Sequence, residues 1–445
     1  MKRVSFHTLG CKLNFAETST FKRQFVDLGY SFVDFSTPAD VVLINTCSVT
    51  ENADKDARKA VRRALKLSPD ARVIVVGCYA QLRPEEVASI PGVYLVLGNE
   101  EKFHISDYLH RESDADDVRI AVGDIAETTD FGVAFSAEHS GRTRAFLKVQ
   151  DGCDYNCTYC TIPMARGRSR SESIERTIEH SSHILSQGFR EIVLSGVNVG
   201  DYGAGQSATL YELLVRLLDL PGDFRIRISS IEPNLLDDDI IALAASTERL
   251  CSHFHIPLQS GSDVVLRRMR RRYNTAMYAE RIEAVLAAMP NAGIGVDVIV
   301  GTPGETAEQF RESYEYLVNL PCSYLHVFNY SDRPGTIAAN MVEKVPHAER
   351  AERSAMLRML DRRKRRTFME QQIGRVLKVL FEEERNGTVS GFSENYSRVV
   401  VLPQTGLSNA ILPVSVTEMR SNTLFGSLVE RPTASSGNMG LPVLT

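Results

Sequence analysis

Three short apolar runs open the chain, at residues 3–8, 40–46 and 72–77, unbroken in the way of strands buried on both faces of a parallel sheet. Before the third, residues 52–67 place Ala57, Val61, Ala64 and Leu65 at helical spacing. This βαβ rhythm over residues 1–110 predicts an α/β unit built on a doubly wound parallel sheet. Residues 111–140 interrupt it. With Glu112, Asp114, Asp116, Asp117, Asp124, Glu127 and Asp130 they read as an acidic linker. Over residues 141–372 the alternation returns, with strands expected at 145–150, 191–195, 225–229, 253–258, 295–300 and 324–328. Helical patterns at 174–185, 210–218, 277–288 and 307–317 lie between them, and a long one follows at 348–372. Six βα units in a row predict a partial (βα)6 barrel. Residues 373–432 then change to short strands at 376–381, 388–390, 397–401, 410–416 and 423–429, a small β-barrel of the kind often used to bind nucleic acid. Residues 433–445, small and polar with Pro and Gly, read as a loose tail.

Composition narrows the class. The chain has 445 residues, 43% hydrophobic and 24% charged, which suits a soluble globular protein of several domains. No apolar run reaches the roughly 18 to 20 residues of a membrane helix. The start, MKRVSFHTLGCKLN, lacks the apolar segment of a secretory signal, so a cytoplasmic protein without membrane partners is expected. A net charge of −5 argues against coating nucleic acid by charge alone, yet allows local basic surfaces. Arg267, Arg268, Arg270, Arg271 and Arg272 form one such run, and Arg362 to Arg366 with Lys364 another. Each is a candidate phosphate contact or simply a solvated helix face.

The cysteines carry the sharpest chemistry. Cys153, Cys157 and Cys160 lie in one loop just after a predicted barrel strand. Three thiolates there can hold three irons of a 4Fe–4S cluster and leave the fourth open to a small chelating molecule. Zinc is the competing reading, but zinc sites close with four ligands and this loop offers no fourth Cys or His. Cys11, Cys47 and Cys78 are distant in sequence, yet each ends a predicted strand of the first sheet, where an open α/β sheet forms its ligand crevice. They either converge on a second cluster or serve singly as small core residues. Cys251 and Cys322 share no such placement and read as structural thiols.

Further polar groups fall at the same strand ends, where barrel enzymes place their chemistry. They are Gly196-Val-Asn198, Ser230-Ile-Glu232, the stretch from His255 to Gln259, and the stretch from Asp297 to Glu305. Together they predict a Gly-lined polar pocket, with tight turns as the plainer alternative. Asp297 lies within a strand, where a carboxylate satisfied by its neighbours is the alternative. Arg166, Arg168 and Arg170 lie close to the expected mouth, placed to meet an anionic substrate.

The spacing C-x3-C-x2-C resembles the signature of the radical S-adenosylmethionine (SAM) superfamily. With Cys11, Cys47 and Cys78 ahead of it and a β-barrel behind, the chain resembles the methylthiotransferase branch. GCKLN (10–14), NTCSVTENADKDARK (45–59), QDGCDYNCTYCTIPMARGRSRS (150–171) and GFSENY (391–396) are similar to the threonylcarbamoyladenosine methylthiotransferases of tRNA. Thr302 and Asn329 depart from that pattern, replacing an aromatic and a proline.

The resemblance implies a methylthiotransferase domain, a radical SAM core and a TRAM domain, with SAM and two 4Fe–4S clusters. Cys153, Cys157 and Cys160 would hold the SAM-cleaving cluster, and Cys11, Cys47 and Cys78 the sulfur-carrying one. SAM contacts would come from Tyr159, Gly196, Asn198, Ser230, Glu232 and Gln259, and substrate contacts from Arg166, Arg168 and Asp297. The implied reaction adds a methylthio group to N6-threonylcarbamoyladenosine at position 37 of the tRNA anticodon loop. It breaks an unactivated aromatic C–H bond, which needs cofactor-borne radical chemistry and a reducing electron donor such as flavodoxin or ferredoxin. The alternatives are a methylthiotransferase for another tRNA adenosine or a ribosomal protein, and a non-catalytic iron–sulfur RNA-binding protein. The oligomeric state stays open.

Overall fold

In a computed structural model of the chain, residues 1–109, 119–136, 143–206, 208–384, 387–404 and 406–429 are described. The first sheet is six-stranded and parallel, in the order Ser31–Phe32, Arg3–Thr8, Val41–Thr46, Arg72–Gly77, Val93–Leu97, Arg119–Ala121. Every residue of Val41–Thr46 is buried, which explains why its sequence shows no alternation. Phe21 and Phe25 of the helix Lys12–Asp27 pack on one face with Val4, Leu43 and Leu95. Ala57, Ala60, Val61 and Ala64 of the helix Glu51–Leu67 cover the other with Val42, Ile44 and Val75. The sheet is therefore doubly wound. Its order reverses direction between Arg3–Thr8 and Val41–Thr46, the switch point where such sheets open a ligand crevice.

The acidic linker needs correcting. Arg119–Ala121 is the sixth strand, paired with Val93–Leu97, and Ile125, Phe131 and Ala134 are buried beyond it. The Ser136 amide donates to the Phe146 carbonyl at 2.9 Å, tying this stretch to the barrel. Its carboxylates dominate the composition and hide apolar residues that pack. Glu112, Asp114, Asp116 and Asp117 lie outside the described residues, as does the tail 433–445.

The core domain matches expectation closely. Arg144–Lys148, Glu191–Ser195 and Arg225–Ile228 form one parallel sheet, and His253–His255, Gly293–Val300 and Tyr324–Asn329 another. Single parallel bridges, Ile226 to Leu250 and Ser230 to His255, join the two into a partial barrel. Aliphatic residues of these strands, Leu194, Ile226, Val296 among them, pack on Leu213, Ile282 and Leu317 from the surrounding helices. The helix His347–Glu370 runs beside the last strand, where Asp361 accepts from the Leu325 amide at 2.8 Å.

The C-terminal unit is a closed barrel of Val376–Phe381, Val389–Ser393, Arg398–Val401, Thr423–Leu428 and Ile411–Arg420, filled by Leu377, Val379, Val399, Val414 and Leu424. It is the TRAM-type barrel expected. Arg225 and Arg227 share the buried carboxylate of Glu191 at 2.7 and 2.9 Å. Their remaining donors reach the carbonyls of Lys378, Phe392, Ser393 and Glu394 at 2.8 to 3.0 Å. Two buried guanidinium groups thus pin the small barrel to the strand beginnings of the large one. Gly293 is required at this seam, because a Cβ there would sit 2.1 Å from the Asn395 carbonyl oxygen. Among the described residues no helix is long and apolar enough to cross a membrane.

Candidate active site

The first cysteine trio converges at the switch point. Gly10 has φ +108, and a Cβ on it would lie 2.6 Å from Cys47 Cβ, so the loop bearing Cys11 rests directly on Cys47. Asn14 ties the loops together. Its amide donates to the Leu9 and Thr46 carbonyls at 2.9 Å each, and its Oδ1 accepts from Cys11 Sγ at 3.3 Å. Cys47 and Cys78 are buried, while Cys11 is exposed, on the wall of a cavity of about 1850 Å³ that all three thiols line. Burial, with the charges of Cys78 and Cys11, pushes the Cys47 thiol up to about 12.

The second trio sits in the loop after the short strand Gln150–Asp151, which pairs with Arg170–Ser171. The Tyr155 and Ile162 amides donate to Cys153 Sγ and Cys160 Sγ at 3.4 Å each. Arg271 Nη1 donates to Cys157 Sγ at 3.1 Å, while its Nη2 pairs with Glu232. Burial raises Cys153 to about 11 and Cys160 to about 12, and the neighbouring thiols oppose ionisation further. Such thiols become thiolates when a cationic centre joins them.

Among the described residues, the group whose His, Cys, Asp or Glu ligand atoms all fall within 4.8 Å of one another is His255, Asp297 and His326. No disulfide forms, since all these cysteines are free.

Gly152 fixes the approach to the loop. It has φ +70, and a Cβ would come within 1.9 Å of the Arg168 carbonyl oxygen. Gly152→Ala is expected to destabilise the fold by at least about 1 kcal/mol and to lower iron retention, read by denaturant unfolding and iron analysis.

The expected site residues separate into groups. Gly196, Ser230 and Asp297 line the cavity with the first trio. Asp297 accepts from His255 Nε2 at 2.7 Å and faces His326 Nδ1 at 3.1 Å, and His255 Nδ1 meets Ser230 Oγ at 2.7 Å. Burial alone would raise the Asp297 carboxyl, but the two histidines hold it well below the usual range. Asn198 accepts from the Glu232 amide at 3.3 Å, and its own Nδ2 is buried without a partner. Tyr159 accepts from Arg271 at 3.4 Å, and Gln259, at φ +72, donates its amide to the Asp297 carbonyl at 2.8 Å.

Arg166 and Arg168 differ in their surroundings. Arg166 is 1% exposed, with Nη1 on Glu17 and Asp151 at 3.0 and 2.9 Å and Nη2 on Asn14 at 3.1 Å. Three of its five N–H donors are held in a buried network, so it clamps the first domain to the barrel while also lining the cavity. Arg168 is exposed and does not line the cavity. The basic runs are also largely committed: Arg268 donates to the Gly304 carbonyl at 2.6 Å, Arg272 to that of Asp154 at 3.2 Å, and Lys364 to that of Leu320 at 2.7 Å. Arg365 pairs with Asp361 at 2.8 Å and Arg366 with Glu370 at 2.8 Å.

His326, Asn14, Lys12 and Tyr396 escaped the reading of the sequence, and Arg271 was read as a phosphate contact rather than as a partner of Cys157. His326 was recoverable, because strand register sets it directly beside Asp297. Arg271 was hidden inside a charge run.

A partial barrel bearing a C-x3-C-x2-C loop, with a second trio of thiols facing its cavity, defines a radical SAM protein. Residues 147–317 match the radical SAM superfamily, and residues 3–98 match the uncharacterized protein family UPF0004. The threonylcarbamoyladenosine tRNA methylthiotransferase MtaB of Aquifex aeolicus is 38% identical over 86% of this chain and 93% of its own length. Its namesake in Bacillus subtilis is 37% identical over 94% of each. The chain belongs to the radical SAM methylthiotransferases, in the threonylcarbamoyladenosine tRNA branch. Membership in the superfamily implies a 4Fe–4S cluster and SAM. The radical SAM methyltransferase TsrM of Kitasatospora setae shares the fold, with TM-score 0.54 over 76% of this chain and 77% of that one, at 15% identity.

Proposed function

We propose that this chain converts N6-threonylcarbamoyladenosine at position 37 of tRNA to its 2-methylthio derivative, using SAM and two 4Fe–4S clusters. One observation carries the reading. A single cavity is bounded by Cys11, Cys47 and Cys78, by the barrel residues Ser230 and Asp297, and by Ser390 and Arg398 of the small barrel, with Ile162 of the second cysteine loop on its wall.

Cys153, Cys157 and Cys160 would hold one cluster and leave an iron open for SAM; Cys11, Cys47 and Cys78 would hold the other. When bound, the clusters supply reductive cleavage of SAM to a 5′-deoxyadenosyl radical and the sulfur that is transferred. The remaining work falls to side chains. Arg271 holds positive charge against Cys157 and is itself oriented by Glu232. Tyr159, Gly196, Asn198, Ser230, Glu232 and Gln259 would contact SAM. Asp297, kept anionic by His255 and His326, is an acceptor facing the substrate base. Arg398 and Arg420 on the cavity rim suit the phosphates of an anticodon loop. The electron donor is a flavodoxin or ferredoxin, and the setting is cytoplasmic. The first domain extends to the strand Arg119–Ala121 rather than ending near residue 110.

The test is nucleoside mass spectrometry of tRNA from cells lacking the gene and from the complemented strain. The methylthiolated nucleoside is expected to vanish on deletion while its precursor accumulates. Survival of that nucleoside would defeat the reading and redirect the search to ribosomal proteins.

A further inference from the structure

Lys12 is a cation without a counter-ion. It follows Cys11 directly, lines the cavity and is half-buried, and among the described residues it has neither an ion pair nor a hydrogen bond. Arg144 and Arg227 lie near it on the barrel, and the nearest carboxylate, Glu191, is already shared by Arg225 and Arg227. Arg144 also lines the cavity; its ion pair with Glu382 is long, at 3.6 Å, and its guanidinium lies 4.6 Å from the Phe392 ring centre. Tyr396, on the small barrel, lines the same cavity, with the Arg144 guanidinium 5.8 Å from its ring centre.

A desolvated ammonium with no partner is costly, and it costs least when a ligand anion completes it. We infer that Lys12, Arg144 and Tyr396 form a carboxylate-binding subsite that reads the free carboxylate of the threonylcarbamoyl side chain. This rests on the substrate proposed above. An unmodified adenine offers no anion, so a site built around this charge pair rejects the base that lacks it, the asymmetry expected when a polar site is left unpaired. Two other anions could draw on Lys12, a tRNA phosphate or the thiolate of Cys11, and both are present whatever the state of the substrate carboxylate.

The experiment separates them. Binding of an anticodon stem-loop RNA carrying threonylcarbamoyladenosine is compared with binding of the same RNA as its carboxylate methyl ester, at fixed ionic strength. Wild type, Lys12→Gln and Arg144→Gln are measured, each with its iron content. Wild type is expected to prefer the acid by about ten- to hundredfold, as one charge-assisted contact gives. In Lys12→Gln the preference should fall to near unity, and Arg144→Gln, which changes no cluster cysteine or its immediate neighbour, should reduce it partway. Equal binding of acid and ester by wild type overturns the subsite. So does a Lys12→Gln protein that weakens both ligands equally, which is the mark of a phosphate or thiolate partner. Mass spectrometry of the acid RNA after incubation with the loaded wild type tests the reaction separately. Product with no acid preference sinks the subsite alone; no product at all sinks the substrate reading.

Discussion

Cys157→Ala is expected to reduce SAM cleavage to the level of a protein-free control, whereas Cys47→Ala retains cleavage and forms no methylthio product. The division follows from geometry. Cys157 lies between Cys153 and Cys160 and receives the Arg271 guanidinium at 3.1 Å, on the loop that leaves the barrel strands. Cys47 ends a strand of the other domain, beneath Gly10 and beside Cys78. Each trio would supply all the cysteine ligands of its own cluster, so losing one member removes that trio's ability to hold it and spares the other. Methionine and 5′-deoxyadenosine are measured under anaerobic dithionite, and the methylthio nucleoside by mass spectrometry. Equal loss of cleavage in both variants would falsify the separation of roles.

What the sequence made legible was whatever depends on local pattern. The parallel strands show as unbroken apolar runs because both faces are covered, and the cysteine loop shows because its ligands are contiguous. The convergence of Cys11, Cys47 and Cys78 was legible only through topology, since strands adjacent in a sheet deliver their ends to one place. The failures share a cause as well. Arg119–Ala121 is a strand because Val93–Leu97 offers it an edge, a long-range fact that its acidic surroundings conceal. Arg166 reads as a free cation near a mouth, yet Glu17 is 149 residues away in sequence and 3.0 Å away in space. Lys12 is the converse: an ordinary helix-start lysine whose isolation appears only once three domains enclose it. Charge in a sequence says nothing about whether the fold supplies its partner.

The buried charge network around Arg166 carries the largest expected stability effect. Glu17 accepts from Arg166 at 3.0 Å and from Lys102 at 2.8 Å, while Asp151 accepts from Arg166 at 2.9 Å and from Lys148 at 3.1 Å. All five side chains are at most 5% exposed, so each ion depends on the others for solvation. Arg166→Met leaves two buried carboxylates short of a partner and is expected to cost about 3–5 kcal/mol, seen as a lowered denaturant midpoint. The pH dependence has a definite sign. Burial alone would raise Glu17, but Arg166, Lys102 and Lys148 bring it from 4.5 down to about 2. A carboxyl held lower when folded stabilises fully above its unfolded value and loses that contribution as pH falls from about 4.5 through about 2. Wild type should therefore weaken across that window, and Glu17→Gln should weaken less steeply there from a lower starting stability. A wild type and a Glu17→Gln variant with parallel acid profiles would remove Glu17 from the account. Because the same network joins the helix Lys12–Asp27 to the short helix Ile162–Arg166, it also sets how the two cysteine trios face each other. Arg166→Met, assayed where it remains folded, should accordingly lose methylthio product more than it loses SAM cleavage.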